Sequence, residues 1–417
     1  MKPTLLLTFA AFIFAPITHS NSTLELSNLT GVDPTETSKT KEVSNNTGFE
    51  YYSKSTPVNT KYSEFASGIF KKKFIIVSSK RIGALGDGVD KYTCEPFTEL
   101  YCLDLKKDAT IENPLFFSKI LNTKNNEGHV AFTANQNTIY YTRSLRTNAK
   151  NYQLFKATLD TNSTKTWVNH KQVTSNKTHS IETPLVSADG KSIYYSSNKP
   201  GGFGGFDLYV APIKEDGTIG TSVNLGPTVN TDKNEKYPQL TKDGKRLFFA
   251  SNGHKGFGGM DLFVSRKLKD GYKTPRNLGK KVNTASNELA LTFIDNELGY
   301  FSSNKKGGKG SYDLYQIEMK PVFQKLEGTI VDNDSERLLP NATVVLYDAD
   351  HEEIARQTTG KDANFSFKVL AFEDYTVKVK KEGFENTQTL MTSGKSYTSI
   401  LKTVVKLHSD TGLAKKK

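Results

Sequence analysis

Cysteine, histidine and tryptophan are scarce in this chain, with two, seven and one of each among 417 residues. Two thiols without histidines at the usual spacing cannot form a zinc site. There is also no Gly-x-Ser-x-Gly elbow and no His-Glu-x-x-His motif, and His129, like the other histidines, is isolated in the manner of a surface residue. These absences predict a protein without enzymatic activity, metal or cofactor.

Long apolar runs are equally rare. One run extends from Leu5 to Ala15, between the basic Lys2 and the small Ser20, which is the pattern of a secretory signal peptide over residues 1–20. It is well short of the ~20 residues that a membrane-spanning helix needs, and no later stretch is apolar enough to span a bilayer. We therefore expect an exported periplasmic protein with no transmembrane segment and no nucleic-acid partner.

Acidic residues are outnumbered, because 56 lysines and arginines face 44 aspartates and glutamates, for a formal net charge of +12. A basic balance favours anionic partners. The basic residues are scattered along the chain, however, and form dense runs only at 71–73 and 415–417. We expect most of this charge to be solvated surface, with an anionic glycan as an alternative partner.

A repeat organises the middle of the chain. A triplet of a polar residue, leucine and an aromatic residue recurs at intervals of 54, 54, 54 and 52 residues, with its leucine at Leu100, Leu154, Leu208, Leu262 and Leu314. An apolar or aromatic strand precedes each triplet, and most copies also contain an Asp-Gly turn and a polar element that ends in glutamate. Such units hold about four short strands each. The pattern predicts an all-β fold with a five-bladed β-propeller, or a six-bladed alternative, over residues 49–320.

Glycine-rich segments follow the strand serines in three consecutive units, at 198–207, 252–261 and 304–313. Phosphate-binding loops open a helix, whereas these segments open a strand, so we interpret them as blade hairpins. Their apolar side chains are candidates for an edge that contacts a partner: Phe203, Phe206, Phe257, Met260 and Tyr312. The acidic residues that recur once per unit are expected to pack the repeat: Asp207, Asp261, Asp313, Glu182, Glu235 and Glu288.

The first and last units are irregular. The first has an insertion before its triplet, and the insertion contains Cys94. We predict a disulfide to Cys102 that pins the insertion to its own strand, with two free thiols as the alternative. The last unit lacks an outer strand, and segment 49–60 ends like the outer strands of other units. We predict that this segment pairs with the fifth blade and closes the ring, which removes exposed sheet edges.

The segments on either side of the repeat differ from it in amino-acid composition and in strand pattern. Residues 21–48 are polar and predict a disordered lead-in, and residues 408–417 form a basic tail. Between 322 and 407, about seven short strands separated by turn signals predict a small Ig-like β-sandwich. This segment resembles the carboxypeptidase regulatory-like domain at Glu327-Gly328, Leu339 to Val344, Asp362 with Phe365, and Tyr375 with Gly383-Phe384.

The third and fourth units are similar to PD40, or WD40-like, propeller repeats. In the third unit the similarity is carried by Glu182, Pro184, Asp189, Gly190, Ser196, Ser197, Asn198, Gly201, Gly202, Asp207 and Leu208. A propeller followed by this sandwich resembles the periplasmic propeller proteins of the type IX secretion and gliding apparatus of Bacteroidetes-like bacteria, here without their OmpA-like domain.

That resemblance implies a non-enzymatic interaction scaffold of the cell envelope, associated with the outer membrane. Its partner would be an envelope protein, such as an outer-membrane secretion component. Two alternatives stay open. One is a propeller-type glycan hydrolase or lyase, which would show non-repeated histidine, arginine, tyrosine or carboxylate groups converging at the axis. The other is a TolB-like envelope accessory protein.

Overall fold

The structure, a computed structural model, describes residues 46–81, 88–174, 178–393 and 400–410. The predicted signal peptide (1–20), most of the lead-in (21–48) and most of the basic tail (408–417) lie outside these residues. Every helix or strand assigned within the described ranges is a β-strand. In the same ranges there is no helix long and apolar enough to cross a membrane.

Five antiparallel sheets form the propeller blades. Blade 1 contains β2 (Glu64–Phe70), β3 (Lys73–Ser78), β4 (Glu99–Leu105) and β5 (Ile111–Phe116). Blade 2 contains β6 (Glu127–Phe132), β7 (Thr138–Leu145), β8 (Asn148–Leu159) and β9 (Trp167–Gln172). Blade 3 contains β10 (Ile181–Val186), β11 (Ser192–Ser197), β12 (Asp207–Pro212) and β13 (Val223–Asn224). Blade 4 contains β14 (Glu235–Leu240), β15 (Arg246–Ser251), β16 (Asp261–Leu268), β17 (Gly271–Tyr272) and β18 (Arg276–Asn277). Blade 5 contains β19 (Glu288–Phe293), β20 (Leu298–Ser303), β21 (Asp313–Pro321) and β1 (Phe49–Ser55).

Stacking of the blades explains why the strands are apolar in consecutive runs. Successive side chains of a strand point to opposite faces of its sheet. On β11, Tyr194 packs in one core cluster with Phe249 of blade 4, and Tyr195 packs in another with Tyr140 of blade 2. Both tyrosines are buried. Each blade therefore buries both of its faces, and the predicted all-β propeller is confirmed.

The ring is closed by the first strand of the chain. β1 pairs antiparallel with β21, in a register that runs from Phe49 opposite Pro321 to Ser55 opposite Tyr315. The Tyr51 side chain is fully buried in the core of blades 4 and 5. The inner strands β2, β6, β10, β14 and β19 contact one another in that order, and β19 returns to β2. The predicted pairing of segment 49–60 with the fifth blade is thus confirmed.

The predicted disulfide is wrong, because both thiols are free in the structure. Cys102 lies in the middle of β4, where its Sγ faces the main-chain carbonyl of Phe116 at 3.9 Å. Cys94 is exposed on the inserted loop, which turns on itself through a main-chain hydrogen bond of 2.8 Å from Asp90 N–H to the Glu95 carbonyl. Cys102 is three residues into β4, roughly 10 Å from its beginning, and a disulfide requires its two Cα atoms within ~7 Å.

The second domain is a sandwich of two sheets. One sheet orders β25 (Asn364–Leu370), β22 (Phe323–Asp332) and β28 (Ile400–Leu407), with β22 and β28 parallel. The other orders β24 (Glu353–Thr358), β23 (Thr343–Tyr347), β26 (Asp374–Lys380) and β27 (Thr387–Thr392). Arg266 at the end of β16 lies 2.9 Å from Asp348 and from Asp350, and Arg246 lies 2.9 Å from Glu373. These ion pairs attach the sandwich to blade 4.

Replacing Tyr51 with alanine should lower the free energy of unfolding of the propeller by about 3–5 kcal/mol, because a fully buried aromatic ring leaves a cavity when it is truncated. The matched control is Tyr52→Ala on the same strand, where the ring is exposed and the expected loss is about 0.5–1 kcal/mol. Urea denaturation followed by tyrosine fluorescence measures both. Equal losses for the two variants would contradict burial of β1 in the closed ring.

Candidate functional site

The two faces of the ring carry different loops. All five inner strands begin at one face, which we call the top face. It also holds the hairpins between the second and third strands of each blade and the segments that connect one blade to the next. The opposite, bottom face holds the Asp-Gly turns, and Arg246 and Arg266, which bind the sandwich, lie at the bottom ends of their strands.

Each glycine-rich hairpin of the top face is held by the aspartate that follows it. Asp207 accepts hydrogen bonds from the main-chain N–H groups of Phe203 at 2.6 Å and of Gly204 at 3.1 Å. The equivalent residues make the equivalent bonds: Asp261 and Asp313. Gly204 has no room for a β-carbon, because main-chain carbonyl oxygens of the next connecting segment lie against it. The glycines therefore let each hairpin pack closely on the neighbouring blade.

The recurring glutamates hold the connecting segments. Glu235 accepts hydrogen bonds from the N–H of Thr231 at 2.8 Å, from its hydroxyl at 2.7 Å, and from a serine hydroxyl of β15 at 2.6 Å. Glu288 makes the same three kinds of bond in its own blade. Glu182 departs from this pattern, because it forms an ion pair with Lys236 of the next blade. These carboxylates are thus occupied by the packing of the repeat.

The five apolar side chains predicted to form one edge fall into two groups. Phe203 is 49% exposed at its hairpin tip, and Phe257 is half-buried at the equivalent position. The residue just before each aspartate instead packs against the next blade: Phe206, Met260 and Tyr312. The Lys236 ammonium lies 4.3 Å from the centre of the Phe206 ring. The hairpins therefore present one row of side chains to solvent and a second row to the seams between blades.

A cavity of about 390 Å³ opens at the ring axis on the top face. We call it the axial cavity. Aromatic rings from four blades line it: Phe65, His129, Tyr152, Tyr237 and Tyr312. The Phe65 and Tyr312 ring centres are 4.9 Å apart, and those of His129 and Tyr237 are 5.1 Å apart. Of the predicted edge residues, only Tyr312 reaches this cavity.

The sequence predicts His129 to be an isolated surface histidine, but this prediction is wrong, because the residue lines the axial cavity. Its ring lies between Phe65 and Tyr237, and its buried Nε2 atom has no hydrogen-bond partner in the described part of the chain. Burial, helped by the charge of Lys236, lowers the pKa of His129 to about 3, so the ring is neutral. A signal was present in the sequence for three of these residues, because Phe65, His129 and Tyr237 follow the recurring glutamates by one or two positions.

The carboxylates of the axial cavity are hydrogen-bonded within the protein. Arg143 Nε lies 2.9 Å from Glu127 Oε2. The Asn126 side chain donates to Asp90 at 2.5 Å, and a serine hydroxyl donates to Glu95 at 2.5 Å. No three histidine, cysteine or acidic side chains of the described residues are grouped so that they could hold a metal ion. The cavity therefore combines aromatic surface with acidic groups that already have partners.

A second acidic residue lies close to Glu127 at the seam of blades 1 and 2. Glu99 is buried, and its Oε2 atom has no partner among the described residues. Burial, together with the charge of Glu127, raises the pKa of Glu99 to about 8. Burial also raises the pKa of Glu127 to about 7, although Arg143 opposes the shift. Glu99 therefore holds a proton at pH values where exposed glutamates are ionised, beside Glu127, which is paired with Arg143.

Comparison with known proteins identifies the second domain. Residues 325–405 match the family model of the carboxypeptidase regulatory-like domain, so the sandwich is a domain of this type. No curated protein matches the chain.

Solved structures similar to this chain include TolB from Acinetobacter baumannii, with 14% identity over 60% of this chain and 53% of that one, at a TM-score of 0.34. This chain thus spans about half of that TolB. Another is a TolB candidate from Agrobacterium tumefaciens, with 14% identity over 77% of this chain and 96% of that one, at a TM-score of 0.37. A third is the catalytic domain of the GH62 α-L-arabinofuranosidase from Coprinopsis cinerea, with 9% identity over 65% of this chain and 97% of that one, at a TM-score of 0.40.

Buried Glu99 predicts a stability that depends on pH. Because its folded-state pKa of about 8 lies above the ordinary 4.5, folding retains a proton that the unfolded chain releases. The linked stability is full below about pH 4.5 and is lost as pH rises through about 8. Glu99→Gln should therefore raise the melting temperature at pH 9 by several degrees, since 1 kcal/mol corresponds to roughly 2–4 °C.

The control for this test is Glu215→Gln, at an exposed glutamate of a bottom-face loop. At pH 5 and at pH 9 this variant should have the same melting temperature as the parent protein. Differential scanning calorimetry at both pH values gives the comparison. A Glu99→Gln variant with the same pH dependence as the parent would show that Glu99 is not the protonated group.

Proposed function

We propose that this protein is a non-enzymatic interaction scaffold of the bacterial cell envelope, whose propeller receives part of a partner protein in the axial cavity. The finer role, as an outer-membrane-associated accessory of type IX secretion or gliding, rests on the resemblance of the repeats and sandwich to those periplasmic proteins. A TolB-like accessory role would use the same face of the propeller.

The lining of the axial cavity carries this proposal. Its volume of about 390 Å³ is within the range of roughly 300–1,000 Å³ that ligand sites occupy. Tyrosine rings offer rigid apolar surface with a polar tip, and Tyr237 and Tyr312 supply such rings from two blades. The neutral His129 ring packs between Phe65 and Tyr237 and completes this aromatic wall. A partner group with an apolar body would fit against these rings.

The acidic groups of the cavity favour binding over catalysis. Hydrolysis of a glycosidic bond generally requires two carboxyl groups that face the scissile bond, one as acid and one as base or nucleophile. Glu127 is held by Arg143, and Glu182 is held by Lys236. Asp90 and Glu95 accept hydrogen bonds from neighbouring side chains. These carboxylates therefore serve the packing of the loops and blades.

One observation favours a second candidate, a glycan hydrolase or lyase. Side chains that do not repeat from blade to blade converge at the axis, among them His129, Tyr152 and Tyr237. Convergence of this kind is what a propeller enzyme requires. The two candidates differ in what Glu182 does, because it is a structural ion-pair partner in the scaffold and a candidate acid or base in the enzyme.

Site-specific photo-crosslinking in cells tests the scaffold. A photoreactive phenylalanine analogue in place of Tyr312 should give a discrete adduct with one envelope protein, at least about tenfold more abundant than from the same analogue at Leu390, which is 72% exposed on the sandwich. Mass spectrometry identifies the adduct. Adding Phe65→Ala to the Tyr312 analogue should reduce its yield about tenfold, since contact with an apolar aromatic side chain is worth roughly 1.5–3 kcal/mol.

Two outcomes would contradict the scaffold. Equal adduct yields at the two positions would show that the axial cavity does not receive a partner. Release of reducing ends from a panel of envelope and plant glycans by the purified protein, abolished by Glu182→Gln with the fold intact by circular dichroism, would establish the enzyme instead.

A further inference from the structure

The exposed loops of the top face are rich in basic residues, whereas acidic residues of the same face, such as Glu64, Glu127, Glu235 and Glu288, are buried at the strand ends beneath them. Among the described residues, the top-face loops contain fifteen lysines and arginines and three acidic residues. The bottom-face loops contain eleven lysines and arginines and nine acidic residues. The top-face loops are 56–63, 79–98, 117–126, 146–147, 173–180, 198–206, 225–234, 252–260, 278–287 and 304–312. The bottom-face loops are 71–72, 106–110, 133–137, 160–166, 187–191, 213–222, 241–245, 269–275 and 294–297. Basic residues that are scattered along the sequence therefore give the described top-face loops a formal charge of +12 and the described bottom-face loops a formal charge of +2.

The basic residues surround the axis instead of following a groove. The hairpins of all five blades contribute, for example with Lys80, Arg146, Lys199, Lys255 and Lys306. Thirteen of the fifteen are lysines, whose compact, strongly hydrated charge lacks the two-pronged geometry by which arginine recognises individual phosphate or carboxylate groups. This arrangement suits attraction to a broad anionic surface more than recognition of one anionic strand.

Exposed apolar side chains accompany this charge. Four large hydrophobic residues in the described top-face loops have about half of their surface exposed: Val89, Tyr92, Ile120 and Phe203, at 48–52%. On the bottom face, Val223 at the start of β13 is 62% exposed. The sandwich is attached through bottom-face ends of blade 4 strands. Lysines with interspersed apolar and aromatic tips are the combination by which proteins bind the interface of anionic bilayers.

We infer that the top face of the propeller docks on the surface of a membrane that contains anionic phospholipid. The lysines around the ring contact the headgroup layer, and Phe203 with its exposed neighbours enters the interface. This inference goes beyond the proposed function and does not depend on it, because it uses the loops around the axial cavity and none of the rings inside it. If the top face instead binds an acidic protein surface or an acidic polysaccharide, the test below gives a different outcome.

Vesicle co-sedimentation of the purified protein tests the inference. The protein should bind vesicles of phosphatidylcholine and phosphatidylglycerol in equal parts and should not bind vesicles of phosphatidylcholine alone. Binding should disappear at roughly 1 M salt, where the Debye length falls to about 3 Å. The triple variant Lys233→Glu, Lys306→Glu and Lys309→Glu, all at exposed top-face positions, should bind at least about tenfold more weakly, because each lysine near an anionic surface contributes to attraction.

The matched control reverses the same charge on the bottom face, as Lys71→Glu, Lys72→Glu and Lys107→Glu at exposed positions. It should bind within about twofold of the parent protein, since only the face toward the membrane lies within a Debye length of it. Phe203→Ser should weaken binding a few-fold, because one half-exposed ring is withdrawn from the interface.

Three results would overturn the inference. The first is equal binding to vesicles with and without phosphatidylglycerol. The second is an equal loss in the top-face and bottom-face triple variants, which would mean that net charge acts without a docking face. The third is binding to soluble polygalacturonate with no binding to vesicles, which would assign the face to a glycan. Loss of the Tyr312 crosslink with vesicle binding intact would reject the proposed function alone.

Discussion

The antiparallel pairing of β1 with β21 is the interaction on which the rest of the structure depends. It joins the beginning of the propeller to its end, and it supplies the outer strand that the fifth blade otherwise lacks. Without it, β21 would expose an unpaired edge, and the ring would lose the buried contacts of Tyr51. Only a closed ring brings His129 of blade 2 within 5.1 Å of Tyr237 of blade 4. The axial cavity is therefore a product of closure.

Closure also gives the two faces separate roles. On the bottom, buried arginines such as Arg266 pair with carboxylates of the sandwich, and removal of one partner from such a pair costs about 3–5 kcal/mol. On the top, Asp207 and its equivalents fix the glycine-rich hairpins through main-chain N–H groups. The top face is thus a fixed platform that surrounds the cavity with lysines. In the proposed account, the platform meets the anionic membrane, and the cavity, which opens on the same face, receives a part of the partner protein that lies at that membrane.

Much of the fold could be predicted from the sequence, because each blade is a local unit with its own strands and turns. The spacing of Leu208 and its equivalents, the Asp-Gly turns and the unpaired segment 49–60 indicated the blades and their closure. The site could not be predicted equally well, because it is assembled from positions far apart in the chain. His129 and Tyr237 share only their position two residues after a recurring glutamate, which does not show that they meet at the axis. The lysines of eight separate loops meet only in the ring. The disulfide failed for a related reason: sequence proximity does not show that Cys102 lies halfway down a strand.

Hydrogen–deuterium exchange of the native protein tests the central claim most directly. If β1 closes the ring, the amides of residues 49–55 that pair with β21 exchange as slowly as those of β20 and β21, since all are opened by the same unfolding of the blade. The account predicts protection of these amides for hours under native conditions. Exchange of residues 49–55 within seconds, with the other strands of blade 5 still protected, would contradict closure and with it the convergence of side chains at the axis.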